Sequence, residues 1–323
     1  MHKNKLPKEF IELVKDVYPK KSQKVIESFS INKPTTFRIN KLKVKDSKKL
    51  LEDLKKEGFK ITKGPFDNTY IVKKQQKPLS KTEAFSKGLI YIQELSSMLP
   101  PLVLNPKKDE YILDMTAAPG SKTTQIAMLS KNKANLLAVE KNPIRYKKLK
   151  YNLKLQDAKV KTININSIIL PKKFPEFKNF FDKILLDSPC SSEGRFNTQN
   201  PKTFKFWSIK KIKRMQKTQK ILLNKAVEML KPNGILVYST CTLNKKENEE
   251  VLEWILKKHP NLKLESINLK IPEKNIVKGK TKNTKRALRI LPDTTFGGFF
   301  IAKIRKTGLD SRFRGNDVGK KRE

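Results

Sequence analysis

Residues 111–127 read Tyr111-Ile112-Leu113-Asp114-Met115-Thr116-Ala117-Ala118-Pro119-Gly120-Ser121-Lys122-Thr123-Thr124-Gln125-Ile126-Ala127. Ile112 and Leu113 close a short apolar run of the kind that forms a buried strand. After Asp114 the chain turns through small residues, Pro119 and Gly120, and a helical pattern follows. A buried strand, a tight turn and a helix whose free N–H groups face a ligand together make a nucleotide-type cofactor site. The glycine would let ligand atoms approach the backbone. A phosphate-binding loop needs Gly-x-x-x-x-Gly-Lys-Ser/Thr, but Ser121 precedes Lys122 and no glycine stands near Met115. The dinucleotide fingerprint also fails, because Gly120 is the only glycine between Gly88 and Gly194. What remains is a one-glycine turn and a second strand, 136–140, whose end carries Glu140. That residue lies 20 positions beyond Gly120, where a carboxylate can accept hydrogen bonds from both ribose hydroxyls. The combination fits S-adenosylmethionine (S-adenosyl-L-methionine) better than a nicotinamide dinucleotide.

Strands and helices alternate outward from this stretch. Residues 111–113, 136–139, 162–164, 183–186 and 234–239 read as strands separated by helical patterns, the βαβ signature of a parallel sheet covered on both faces. Residues 263–268 and 298–304 add two final strands. The expected fold is therefore α/β, a Rossmann-like, mostly parallel sheet of seven strands with the last antiparallel. Binding sites in such sheets lie at the carboxyl ends of the strands. Asp114, Glu140, Asn166, Asp187 and Thr240-Cys241 fall at those ends.

Upstream, residues 6–29 read as one or two helices, 35–40 as a strand, and Ser47 as the cap of a helix ending near Gly58. Two further strands complete a small Lys-rich α+β module. The expected organisation is an RNA-binding module over 1–79, a catalytic domain over 80–306 and a disordered basic tail over 307–323. A long helix is expected over 208–230, with Lys210, Lys211, Lys213, Arg214, Lys217 and Lys220 off its core side. Asn244 with Glu247 reads as the cap of the next helix. A basic linker over 274–289, without core residues, is expected near the partner.

The chain has 323 residues, with 72 Lys plus Arg against 31 Asp plus Glu, a formal charge of +41. Such a field attracts polyanions and makes their binding salt-dependent, so RNA or DNA is the expected partner. No window approaches 18 uninterrupted apolar residues, and no signal-peptide core follows the first five residues, so a cytoplasmic location and no membrane partner are expected. Cys190 and Cys241 are the only cysteines, too few for a disulfide framework or a zinc site. The contexts of His2 and His259 are unlike metal ligands, so no metal is expected.

Both thiols end central strands at the cofactor edge, in Asp187-Ser188-Pro189-Cys190-Ser191 and Tyr238-Ser239-Thr240-Cys241-Thr242. A lone cysteine is most often a small buried hydrophobe, but two of them beside a cofactor turn weaken that reading. Methylation of a pyrimidine ring carbon needs a thiol. C5 of cytosine is a weak nucleophile, and a thiolate adding to C6 turns C5 into an enamine carbon able to attack a sulfonium methyl group. A carboxyl near ring N3 would stabilise the adduct, and a second base must remove the C5 proton. Asp187 suits the first task and Cys190 the second.

With these motifs the sequence resembles the Nop/Sun family of RNA cytosine C5 methyltransferases. The matching segments also include Gly88 with Ile92-Gln93-Glu94-Leu95-Ser96-Ser97-Met98, Glu247-Asn248-Glu249, and Gly297-Gly298-Phe299-Phe300-Ile301-Ala302. The resemblance spans residues 35–305. It implies that Cys241 is the nucleophile and that Cys190 assists product release. It implies that Thr116, Ala117, Ala118, Pro119, Gly120, Ser121 and Lys122, with Glu140, Arg145, Asn166 and Asp187, bind S-adenosylmethionine, and that Lys122 and Asp187 also lie near the target base. Asn166 stands where the family usually has Asp; an amide oxygen can still accept a hydrogen bond from the adenine amine. Thr116 replaces a frequent Cys and Ser121 a frequent Gly. On family grounds ribosomal RNA is the first expected substrate, transfer RNA the second, and the protein is expected to be a monomer. Methylation of an exocyclic amine is disfavoured, because Cys190 replaces the second Pro of the motif that such enzymes carry. A non-catalytic RNA-binding assembly factor on the same fold would leave both thiols unexplained.

Overall fold

The structure, a computed structural model, describes residues 5–269 and 271–308. Of the tail expected over 307–323, residues 309–323 lie outside these residues; Thr307 is held, its N–H donating to the Asn261 carbonyl at 2.7 Å.

Two helices, α1 (Lys8–Val17) and α2 (Ser22–Ser28), open the chain. They are amphipathic; Phe10 packs its ring against Phe196 and Trp207 of the catalytic half and Phe29 against Phe196, with centroids 4.7–6.2 Å apart. The next elements are β1 (Thr36–Ile39), α3 (Ser47–Lys56), β2 (Lys60–Lys63), β3 (Thr69–Lys74), α4 (Glu83–Ser86) and β4 (Ile90–Ile92). The strands form an antiparallel sheet in the order β2-β3-β1-β4. Strand β4 belongs to this small sheet, so the boundary expected at residue 79 falls inside it. The cap of α3 is Asp46, whose carboxylate accepts from the N–H groups of Lys48 and Lys49, one residue ahead of the expected Ser47.

The large sheet is built from β5 (Tyr111–Asp114), β6 (Asn135–Val139), β7 (Lys161–Ile163), β8 (Phe181–Asp187), β9 (Leu230–Thr240), β10 (Leu262–Glu265), β11 (Ile276–Lys278), β12 (Leu288–Ile290) and β13 (Phe299–Lys306). Helices α5 (Leu95–Leu104), α6 (Ser121–Leu129), α7 (Pro143–Leu155), α8 (Leu170–Lys173), α9 (Ile209–Met229) and α10 (Glu249–Lys258) cover its faces. The order is β11-β12-β13-β9-β8-β5-β6-β7, with β10 on β13; β5 to β9 are mutually parallel and β13 runs antiparallel to β9. Among the described residues the sheet has nine strands, two more than expected. The additional pair, β11 and β12, comes from the stretch read as a linker without core residues. Its Lys residues masked the pattern: Ala287 and Ile290 are buried, and so is Arg289.

Two apolar clusters flank the sheet, one around Leu113, Ile184, Leu236 and Ile255, the other around Ile112, Leu185, Val237 and Ile301. Alternate residues of the same strands thus serve opposite faces, as strand geometry requires. The strand order reverses between β5 and β8, so their carboxyl ends, Asp114 and Asp187, flank the crevice where ligands bind in such sheets. No helix among the described residues is long and apolar enough to cross a membrane.

Candidate active site

The turn after β5 is shaped by Gly120, whose φ of +106° few other residues adopt. A Cβ there would also meet Leu149 of α7 at 3.1 Å, so this glycine serves the turn and the helix packing behind it. The Ala118–Pro119 peptide is cis. Helix α6 starts at Ser121 with no side-chain cap, leaving its first N–H groups free.

A cleft of about 310 Å³ opens over this turn. Thr116, Ala117, Ala118, Pro119, Ser121, Lys122, Arg145, Asp187 and Cys241 line it, together with Asp114. Gly120, Glu140, Asn166 and Cys190 do not reach its wall. Glu140 is buried just behind it, one carboxylate oxygen accepting from the Asn142 N–H at 2.9 Å and the other 3.8 Å from Arg145. Arg145 in turn donates to the Ala118 carbonyl. Asn166 Oδ1 accepts from the Ile168 N–H within its own loop at 3.1 Å. Burial pushes the Asp114 carboxyl up to about 6, opposed by the Thr123 hydroxyl, which donates to it at 2.7 Å.

Asp187, at the tip of β8, is fixed from two sides. Ser239 Oγ donates to one oxygen at 2.8 Å, and Lys122 Nζ lies 2.7 Å from the other. Lys122 also donates to Ser97 Oγ at 2.8 Å. Behind it runs a polar chain into the small sheet. Gln93 Nε2 bonds Gln125 Oε1 and the Ser97 carbonyl, and Gln93 Oε1 accepts from Arg38 Nε, each at 3.0 Å. Arg38 is 1% exposed, donates to Thr124 Oγ1 at 2.7 Å and to the Ser121 carbonyl at 3.3 Å, and has no carboxylate partner among the described residues. Burial lowers its pKa to about 10.

The sulfurs of Cys190 and Cys241 are 3.3 Å apart, with Ser192 Oγ 3.6 Å from Cys241. The hydrogen bond from the Cys190 thiol holds Cys241 below the ordinary thiol range against its burial, and Arg195 adds to this. Cys190 is correspondingly driven well up, by the same hydrogen bond and by burial. Within the pair Cys241 is therefore the more acidic thiol and Cys190 the one that holds its proton more tightly.

Two buried carboxylates position these sulfurs. Glu193 Oε2 accepts from the Leu243 and Asn244 N–H groups, each at 2.9 Å, and from Thr242 Oγ1 at 2.7 Å; Trp207 Nε1 donates to Oε1 at 2.9 Å. Glu247 accepts from the Ser191 N–H at 3.0 Å, Gln219 at 2.7 Å and Asn244 at 2.7 Å. The loop after β8 is thereby laced to the loop after β9. Asn244 does accept from the Glu247 N–H, but α10 begins only at Glu249, so the pair forms part of this lacing instead of the helix cap expected of it. Asn248 accepts from Thr240 Oγ1 at 2.6 Å, and Glu249 pairs with Arg289.

Two results should follow locally. A Cβ on Gly194 would lie 1.9 Å from the Gly298 carbonyl oxygen. Gly194→Ala should therefore push the Cys190 loop off β13, lowering stability by about 1–3 kcal/mol, readable in a urea titration. Burial raises Glu247 to about 7, and Glu193 adds to this. Between about 4.5 and about 7 the native state then holds a proton that the unfolded chain has lost, so stability falls as pH rises through that window. Asp114 acts in the same sense up to about 6. Glu247→Gln should flatten the decline, measured as unfolding free energy at a series of pH values.

The sequence reading missed Glu94, Arg195 and Phe299, which line the cleft. Gly297 makes room for Glu94: a Cβ there would lie 1.6 Å from its carboxylate. The Gly88-to-Met98 and Gly297-Gly298 motifs carried the signal for Glu94 and Phe299. For Arg195 the only signal was its place five residues past Cys190.

A family model for the 16S rRNA methyltransferase RsmB/F matches residues 101–305, and one for the N-terminal domain of 16S rRNA methyltransferase RsmF matches residues 6–95. The chain belongs to the RsmB/F methyltransferase family. Like other RsmB/F members it is an S-adenosylmethionine-dependent enzyme. The chain is 37% identical over 317 residues to the tRNA (cytosine(49)-C(5))-methyltransferase of Pyrococcus abyssi, covering 90% of this chain and 98% of that protein. It is 36% identical over 287 residues to the ribosomal RNA small subunit methyltransferase F of Shewanella piezotolerans, covering 86% of this chain but 58% of that protein. The structure of NSun6 from Pyrococcus horikoshii with SFG, an analogue of S-adenosylmethionine, superposes with a TM-score of 0.81 at 27% identity, covering 94% and 98% of the two chains. In this RsmB/F member the methyl donor fits the cleft over the β5 turn. The free N–H groups of α6, the buried Asp114 carboxyl and the Arg145 guanidinium suit its polar groups, and Cys241 stands on the same wall.

Proposed function

We propose that this enzyme methylates C5 of a cytosine in RNA through a transient bond between Cys241 and C6. The observation that carries the proposal is the pair of sulfurs 3.3 Å apart, with Cys241 on the wall of the cofactor cleft. Cys241, already biased toward thiolate, adds to C6. Asp187, steadied by Ser239 and paired with Lys122, lines the cleft where ring N3 would lie; as C6 is attacked, N3 takes up a proton relayed from the Lys122 ammonium through the Asp187 carboxylate, which neutralises the electron density displaced toward it. The donor supplies an electrophilic sulfonium methyl, which the C5 carbanion equivalent takes up. The C5 proton must then leave, its electron pair re-forming the C5–C6 double bond as the C6–S bond breaks and Cys241 departs as thiolate.

Cys190 suits the release step for a reason specific to this geometry. In the free enzyme the adjacent Cys241 sulfur is what drives its pKa up most. Once Cys241 is a neutral thioether that influence disappears, so Cys190 can give up its proton to solvent and take the C5 proton as thiolate. Thr116, Ser121, Lys122, Arg145 and Asp187 are proposed to contact the donor directly. Gly120, Glu140 and Asn166 are proposed to support it from behind the wall.

Both RNA classes occur among the relatives, as the tRNA enzyme of Pyrococcus abyssi and the rRNA enzyme of Shewanella piezotolerans. We keep ribosomal RNA as the first candidate and transfer RNA as the second. The test is transfer of labelled methyl to unmodified transcripts of each, with the product cytosine located by bisulfite sequencing; no 5-methylcytosine in either would refute the proposal. With 72 basic residues, RNA affinity should fall steeply with salt. A protein touching about six phosphates loses roughly a thousandfold between ~50 and ~200 mM salt, and filter binding across that range measures it.

A further inference from the structure

Beside the cofactor cleft lies a second cavity, of about 420 Å³, that no step of the proposed chemistry uses. The two share a wall of Ile92, Gln93, Glu94 and Arg195, so whatever fills one abuts whatever fills the other. Its remaining sides come from the segment joining α2 to β1, from the loop that carries Arg195, and from Thr295 ahead of β13. It therefore sits where the small module meets the catalytic half.

The lining has the chemistry of a nucleotide. Lys33 reaches in from the module, its Nζ 3.4 Å from the Ser28 carbonyl, and Arg195 stands on the shared wall. Burial lowers the Lys33 pKa, and the nearby Glu94 and Asp293 carboxylates oppose this. Asn32 and Asn197 come from opposite sides and meet, Asn197 Nδ2 donating to Asn32 Oδ1 at 3.2 Å, while Asn32 Nδ2 donates to Gln199 at 2.7 Å. Asn32 nonetheless remains exposed. Each of its polar atoms keeps capacity for a further bond: the oxygen has a second lone pair and the nitrogen a second hydrogen. Amides read base edges, and cations hold phosphates.

We infer that this cavity is the subsite for the nucleotide adjoining the target cytosine in the RNA strand, with Asn32 reading its base and Lys33 holding its phosphate. The inference rests on the proposed function, because a cytosine in the cofactor cleft brings its strand neighbour with it. Recognition at this point would let the module select which cytosine enters the cleft, since the reading groups belong to the segment leading into β1.

The test uses the full-length protein and unmodified ribosomal and transfer RNA transcripts. The methylated site is located first, and both of its neighbours are then changed to each of the other bases. Wild-type enzyme should prefer particular bases at one neighbouring position. Asn32→Ala should erase that preference, and Lys33→Ala should lower kcat/KM by about tenfold, through KM, for the loss of one charged contact. Lys33→Arg should restore it, and affinity for sinefungin should be unchanged in all three variants. Wild-type rates and preferences in both alanine variants would overturn the inference while leaving the proposed function intact. So would a loss of sinefungin affinity parallel to the loss of rate and not rescued by Lys33→Arg, since that marks a merely structural role. Failure of the wild type to methylate any transcript would remove both readings together.

Discussion

Methyl transfer to RNA is expected to fall by at least about a thousandfold when Cys241 is replaced by alanine, because no other thiol lines the cleft to form the bond to C6. The variant should still bind sinefungin, since Cys241 makes one side of a cleft otherwise lined by the β5 turn, Lys122 and Asp187. Cys190→Ala should behave differently. Addition and methyl transfer should proceed, but release should stall, leaving a protein–RNA adduct that survives denaturant and is visible as a shifted band on a denaturing gel. The double variant should give neither adduct nor product. If Cys190→Ala turns over normally with a confirmed substrate, the role of Cys190 in release is wrong even though its sulfur touches that of Cys241.

The largest effect on stability is expected at Glu249→Ala. Glu249 and Arg289 are each about 1% exposed in their side chains and face one another directly. Arg289 also donates to the Leu243 carbonyl at 2.6 Å and the Tyr18 hydroxyl at 2.9 Å. Removing the carboxylate leaves a buried guanidinium without countercharge, a loss of about 3–5 kcal/mol. Replacing both partners by apolar residues of similar volume should cost much less, because the desolvation of two charges disappears with them. Chemical denaturation of the single and paired variants separates these cases. The single loss should also impair transfer, since Leu243 follows the Cys241 loop that Arg289 holds.

The contrast between these two sites explains how much could be read from the sequence. The parallel strands announced themselves as short apolar runs, and their ends carried Asp114, Asp187, Cys190 and Cys241, residue types with few bland explanations at such positions. The convergence of Asp114, Asp187 and Cys241 on one cleft, with the Cys190 sulfur 3.3 Å from that of Cys241, follows from the topology of the sheet. Glu193, Glu247 and Arg289 were not legible in the same way. A charged residue in a Lys-rich chain reads as solvated, and only the fold reveals that these three are sealed inside. The strands at 276–278 and 288–290 were hidden for a related reason: each is three residues long, between runs of Lys and Arg, and gains its apolar neighbours only by pairing at the sheet edge. Arg195 carries no signal beyond its place five residues past Cys190, and its relevance comes from the field it exerts on Cys241.

The lone guanidinium of Arg38 sets a rule for anyone cutting the protein into pieces. It grows from the small sheet yet finds its acceptors at Ser121 and Thr124, on the helix that follows the cofactor turn. A fragment starting at residue 80 would strand β4 without its partner β1 and leave the pocket around Thr124 open to water. The catalytic half is thus not a portable cassette. Chimeras that exchange the front end should be joined beyond residue 92, and should carry an arginine in the register of Arg38.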